Sequence, residues 1–231
     1  MNMNFYGNAK RLADIDLPTI GAIIGVGEDE IHAVIDVEAR GGGFDKKGRP
    51  KMLFEPHIFY RQLGPGWQRD RAVKEGLAYK RWARGNYPSD SYPRLHEAMK
   101  IGQDAALKSA SWGMGQIMGF NAGAAGYESA SAMVADFVHS EESQLRAMVR
   151  FIETNELDDE LREHDWRGFA RGYNGSGYAV HGYHTKLAAA YRKWSKIRDT
   201  PFIPDTRVSY ATPVAVLSTW EWFLSLFSKR Y

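Results

Sequence analysis

Glu38 is a carboxylate in a place where an apolar side chain is expected. On a helical period Ile31, Val34 and Ile35 share one face of segment 28–39, and the next position on that face is Glu38. Burial of an unpaired carboxyl disfavours its charged form, so the group keeps a proton to donate near neutral pH. That is the chemistry of a general acid. The plainer reading is a solvated glutamate at a fraying helix end. A second carboxylate, Glu55, precedes Pro56 at the start of another expected helix, where the macrodipole favours the ionised form. Glu38 and Glu55 can therefore sit in contrasting environments, one pushed toward neutral and one held charged.

The elements that must position these groups follow from pattern and punctuation. Leu17-Pro18 enters a short helix over 19–24, which Gly25 and Gly27 end, and the Glu38 helix follows. The triple glycine 41–43 lets the backbone turn sharply and approach a ligand. Segment 45–50, which contains Asp45, reads as a turn between two short strands, the second being 51–55. Residues 64–93 are rich in Arg, Lys, Tyr, Trp and Gly without a clear period, an excursion that could line a groove. One helix is expected from Pro93 to about Lys108, and Ser111 is placed to cap a short helix ending near Gly119. Amphipathic helices are expected over 131–139, 141–154, 165–171 and 184–197.

Composition bounds the function. The chain has 231 residues with 44% hydrophobic and 13% aromatic content, which excludes a disordered protein and suits one domain with its own core. A net charge of +2 is too small to argue for nucleic acid. Without cysteine there is neither a disulfide framework nor a thiolate metal site. His181 and His184 lie three apart with no third ligand at a suggestive spacing, so no metal and no other cofactor is expected, and His57 reads as a structural donor. The N-terminal residues lack a signal-peptide core, and no apolar run reaches the ~18 residues of a spanning helix.

Four blocks recur together in order: Glu38-Ala-Arg-Gly-Gly-Gly-Phe44, Lys51-Met-Leu-Phe-Glu-Pro-His-Ile-Phe59, Ala110-Ser-Trp-Gly-Met-Gly-Gln-Ile-Met-Gly-Phe-Asn121 and Phe169-Ala-Arg-Gly-Tyr-Asn-Gly175. The arrangement resembles the goose-type lysozyme and soluble lytic transglycosylase superfamily, and within it the N-acetylmuramidase domains of bacteriophage endolysins. The likeness covers roughly 17–197, and four linked blocks are far more specific than any one of them. It implies a mainly α, lysozyme-like α+β fold with a small β-hairpin beside the substrate cleft. It also implies hydrolysis of the β-1,4 bond between N-acetylmuramic acid and N-acetylglucosamine in peptidoglycan. In that reading Glu38 protonates the glycosidic oxygen, and Glu55, or alternatively Asp45, is the second carboxylate. Gln116 offers amide donors and an acceptor to an N-acetyl group, and Tyr173 and Asn174 reach a sugar hydroxyl or Glu38 itself. Trp112 is a candidate for stacking on a pyranose face, with a buried core tryptophan as the alternative. The family's serine after the catalytic glutamate is replaced by Ala39, and Ser111 is a candidate to supply the missing hydroxyl.

Two rival readings use the same residues. A lytic transglycosylase would leave a 1,6-anhydro product, and a non-catalytic wall-binding or phage structural protein would keep the groove without turnover. The expected domain division is a catalytic domain over 1–200 and a tail over 201–231. In the tail Val216, Trp220, Phe223, Leu224 and Phe227 fall on one helical face. From Arg192 onward seven Lys/Arg stand against three acidic residues, which suits contact with an anionic membrane, although packing on the parent domain produces the same stripe. The expected partner is the peptidoglycan glycan strand. The protein is expected to be a monomer that waits in the host bacterial cytoplasm before it reaches the wall.

Overall fold

The structure, a computed structural model, describes residues 3–39, 42–82 and 87–203. The chain divides into two compact units, one formed by 1–11 with 42–148 and the other by 12–41 with 149 onward. Most of the 201–231 tail, from residue 204, lies outside the described residues, as do Arg40 and Gly41.

Among the described residues of the unit that begins at residue 12, every regular element is a helix. Its elements are α1 (Asp16–Gly21), α2 (Glu28–Glu38), the end of α8 (Glu141–Thr154), α9 (Asp158–Arg162), α10 (Trp166–Asn174) and α11 (Tyr183–Trp194). Helix α2 starts with Glu28, Asp29 and Glu30, three carboxylates matched to the positive end of its dipole. The Glu30 side chain accepts the Gly27 amide at 3.0 Å, which satisfies a donor that no carbonyl can reach. Ile31, Ala33 and Val34 of α2 are fully buried, as is Leu187 of α11, the helix packed along it. At the end of that contact His32 stacks on Trp194 with ring centres 3.7 Å apart. Asp36 there accepts the Trp194 indole N–H at 2.8 Å and the Lys193 ammonium at 3.0 Å.

The other unit carries the sheet. Its helices are α3 (Pro56–Gln62), α4 (Trp67–Lys74), α5 (Tyr92–Ile101), α6 (Gln103–Lys108), α7 (Ala130–Phe137) and the start of α8. Strands β1 (Met52–Phe54), β2 (Ala110–Trp112) and β3 (Ile117–Met118) form an antiparallel sheet in that order, with Leu53 opposite Ser111 and Ser111 opposite Met118. Phe54, Phe59, Leu95, Leu107, Trp112, Met133 and Phe137 make its core.

Four expectations change here. The turn at 45–50 is closed by a bridge between Phe44 and Pro50, but strand 52–54 pairs with β2 and not with a strand before the turn, so the hairpin of the sheet is β2–β3. Ser111 caps no helix, because it lies within β2. Gly113 at φ +67° and Gln116 at φ +47° are left-handed, which a helix does not admit and a tight β2–β3 connection requires. The single helix expected from Pro93 to Lys108 breaks at Gly102, whose backbone is extended, while the Gln68 amide takes the carbonyl of Ile101 at 2.6 Å. The 64–93 excursion contains α4, a polar helix with Ala72 as its one buried residue, too weakly patterned to be seen in the sequence.

Candidate active site

Glu38 is the last residue of α2, partly buried, one step beyond the buried Ile31 and Val34 on the same face. Opposite it stands the end of α10. Asp165 caps that helix through the amides of Arg167 and Gly168, Phe169 and Ala170 bury its inner face, and Gly175 at φ +74° stops it directly after Asn174. This geometry delivers the Asn174 amide to Glu38, with Nδ2 donating to Oε1 at 2.9 Å. The Asn174 Oδ1 atom is buried without a hydrogen-bond partner among the described residues, an acceptor that a bound hydroxyl would satisfy. Tyr173 is held by Phe169, stacked at 5.3 Å, and by Phe151, edge-on at 5.5 Å. Burial first, and then the charge of Glu38, push its phenol well above the usual tyrosine range, so it stays a neutral donor. Ala39 is buried at 2% exposure, where an added hydroxyl would need a partner. The Asn174 amide is a side chain that orients the Glu38 carboxyl.

The remaining candidates belong to the sheet-bearing unit. The Ser111 hydroxyl donates to Gln116 Oε1 at 2.9 Å, and Gln116 Nε2 donates to the Gly113 carbonyl at 2.8 Å. These bonds close the β2–β3 turn and leave the Gln116 amide one donor and one acceptor position. Trp112 is a correction to the expectation of sugar stacking. It is 0% exposed, its indole N–H donates to the Leu107 carbonyl at 3.0 Å, and its ring stacks on Phe5 at 5.8 Å, so no face is open to a pyranose.

Glu55 occupies the N-cap position of α3, yet its carboxylate makes no cap bond. Instead Oε2 accepts the Tyr87 hydroxyl at 2.5 Å and lies 3.2 Å from Nδ1 of the buried His57. Burial, and then the bond to Glu55, push the Tyr87 phenol far up. Tyr87 has no signal in the sequence beyond membership of the aromatic excursion. Asp45 is committed to its own turn: Oδ1 accepts the amides of Lys47 and Arg49, and Oδ2 pairs with the Arg49 guanidinium at 2.7 Å. That guanidinium also pairs with Asp90 at 3.1 Å and covers the Tyr92 ring at 3.9 Å. No cluster of metal-holding side chains occurs among the described residues.

The N-acetylmuramidase family profile matches residues 28–195, a span containing Glu38, Asp45, Glu55, Ser111, Trp112, Gln116, Tyr173 and Asn174. The chain belongs to the N-acetylmuramidase family. The enzyme is a glycoside hydrolase of peptidoglycan. It is similar to the crystal structure of the Burkholderia AP3 phage endolysin, with a TM-score of 0.73 and 38% identity over 81% of this chain and 73% of that one. Among curated proteins none matches the chain.

Proposed function

We propose that Glu38 is the proton donor for cleavage of the β-1,4 bond between N-acetylmuramic acid and N-acetylglucosamine. The observation that carries this reading is the 2.9 Å bond from Asn174 to Glu38 Oε1. It stabilises the negative charge that develops on the carboxyl as the proton departs. Tyr173, a neutral phenol beside the same carboxyl, supports the site without competing for its proton. For the second carboxylate, which stabilises the oxocarbenium-like state or activates water, Glu55 is our candidate. What favours it over Asp45 is that Asp45 is occupied by Arg49 and two turn amides, whereas Glu55 accepts the Tyr87 hydroxyl and makes no cap bond. Gln116 contacts an N-acetyl group through its remaining amide valences.

In this reading the protein is an endolysin that accumulates in the host cytoplasm and meets peptidoglycan once the membrane is breached. The 201–231 segment, with its apolar stripe in the sequence and its Lys229-Arg230 end, adds contact with an anionic membrane surface. Mass spectrometry of muropeptides released from purified peptidoglycan tests the reaction. Reducing N-acetylmuramic acid ends are expected, with no release by Glu38→Gln. A dominant 1,6-anhydro product would assign the chain to transglycosylation, and equal release by Glu38→Gln would remove Glu38 as the acid.

A further inference from the structure

Two buried polar side chains on the first turns of α8, Glu141 at 4% exposure and Gln144 at 0%, have no part in the chemistry described so far. Both reach out to glycine-rich turns of their own unit. Glu141 Oε1 accepts the Gly43 amide at 2.8 Å and the Arg11 guanidinium at 2.5 Å. Gln144 uses both ends of its amide: Oε1 accepts the Met114 N–H at 2.8 Å, and Nε2 donates to the Phe137 carbonyl at 2.9 Å. The fit is close enough that a Cβ added at Gly43 would fall 1.8 Å from Gln144 Oε1, and one at Gly113 would fall 2.9 Å from it.

What this anchor holds is the turn from Gly113 to Gln116. Gln116 sits at φ +47°, a conformation that residues with side chains rarely adopt and that persists only where the surroundings impose it. Its own amide bonds, to Ser111 and to the Gly113 carbonyl, close the turn on itself but do not tie it to the body of the unit. Two bonds do: the Gly113 N–H donates to the Lys51 carbonyl at 2.8 Å, and the Met114 N–H donates to Gln144 in the middle of the turn.

We propose that Gln144 is a positioning residue for glycan binding, which fixes the β2–β3 turn so that the strained Gln116 presents its amide to the substrate. The inference rests on the assignment of Gln116 as a substrate contact. A carboxamide supplies an acceptor for Met114 and a donor for Phe137 from one side-chain end at any pH. A carboxylate would accept from Met114 but repel the Phe137 carbonyl, whereas a protonated carboxyl would restore both bonds. Charged groups on the adjoining turn are Glu141, one turn earlier on α8, which also holds the Gly43 amide, and its partner Arg11.

The test compares apparent KM and kcat on soluble glycan strands, between mildly acidic and mildly alkaline pH, for the parent, Gln144→Glu, Gly43→Ala and Gln116→Ala. Each value is taken as a ratio to the parent at the same pH. Gln144→Glu is expected to raise KM roughly tenfold at neutral pH, the factor of one hydrogen bond of ordinary net strength, with a smaller change in kcat. The ratio returns toward one on acidification, as the introduced carboxyl takes up a proton. Gly43→Ala, which displaces Gln144 by contact, raises KM by a similar factor with no recovery at low pH. A parent-like KM for Gln144→Glu at every pH, or a KM elevated equally at every pH, overturns the inference. Should Gln144→Glu not fold at neutral pH, Gly43→Ala decides, and a parent-like KM there overturns it. If Gln116→Ala keeps the parent KM, the assignment of Gln116 fails and the inference with it. If Gln116→Ala raises KM while Gln144→Glu and Gly43→Ala do not, only the role of Gln144 falls.

Discussion

Asn174→Ala is the perturbation that reports most directly on the acid. In the parent, the Nδ2 donor lies 2.9 Å from Glu38 Oε1. In the proposed reaction Glu38 passes its proton to the glycosidic oxygen and negative charge grows on the carboxyl, so this bond is stronger in the transition state than in the ground state. A hydrogen bond to a charged group contributes about 1.5–3 kcal/mol net, which corresponds to a fall in kcat of roughly tenfold to a hundredfold when it is removed. The sign of the pH effect follows from the same bond. The donor favours ionised Glu38, so its loss lets Glu38 keep its proton to higher pH, and the alkaline limb of the kcat profile moves up while the plateau falls. Asn174→Asp places a like charge beside the carboxyl and moves that limb further in the same direction. Steady-state kinetics across pH, with thermal melts to show that each variant is folded, make the measurement. An Asn174→Ala variant with parental kcat and an unmoved alkaline limb would refute the reasoning, since the bond would then lie off the reaction path.

Glu38→Gln is expected to abolish release of reducing ends from peptidoglycan while keeping the parental circular dichroism and thermal midpoint. Trp112→Ala should destabilise by about 3–5 kcal/mol in urea unfolding, the usual cost of emptying a tryptophan site in a core. Trp112→Phe should lose stability with an unchanged KM, and a raised KM at unchanged stability would mean that the indole meets substrate. His32, held below the usual histidine range chiefly by burial, takes up a proton less readily in the fold than in the unfolded chain. Stability from this group is therefore full above the unfolded histidine value of about 6.5 and declines as pH falls below it. His32→Phe should flatten that part of the decline in denaturant titrations. Deletion of residues 204–231 should spare activity on purified peptidoglycan and weaken binding to anionic vesicles, which sedimentation measures.

The amino-acid sequence determined the helical segments with strong apolar stripes, and with them the place of Glu38, the proposed acid. The Ile31, Val34 and Ile35 face points to Glu38 without any knowledge of the fold, because helical periodicity is local. The order of the glycine turns and the Tyr173-Asn174 pair was equally legible. Residues that meet across long sequence separations were not. Asn174 is 136 positions from Glu38, Glu55 is 32 from Tyr87, and Gln144 is 30 from Met114. The pairing of β1 with β2 was decided in the same way, since a strand of three residues carries too little pattern to choose its partner, and Lys51 and Glu55 find theirs at Gly113 and Ser109. Trp112 shows the limit most plainly. An indole reads the same in a sequence whether its face meets a sugar or Phe5, and only packing in three dimensions put it at 0% exposure. Chain-local chemistry proposes which groups can act, while burial and hydrogen bonding between distant segments decide which are free to do so.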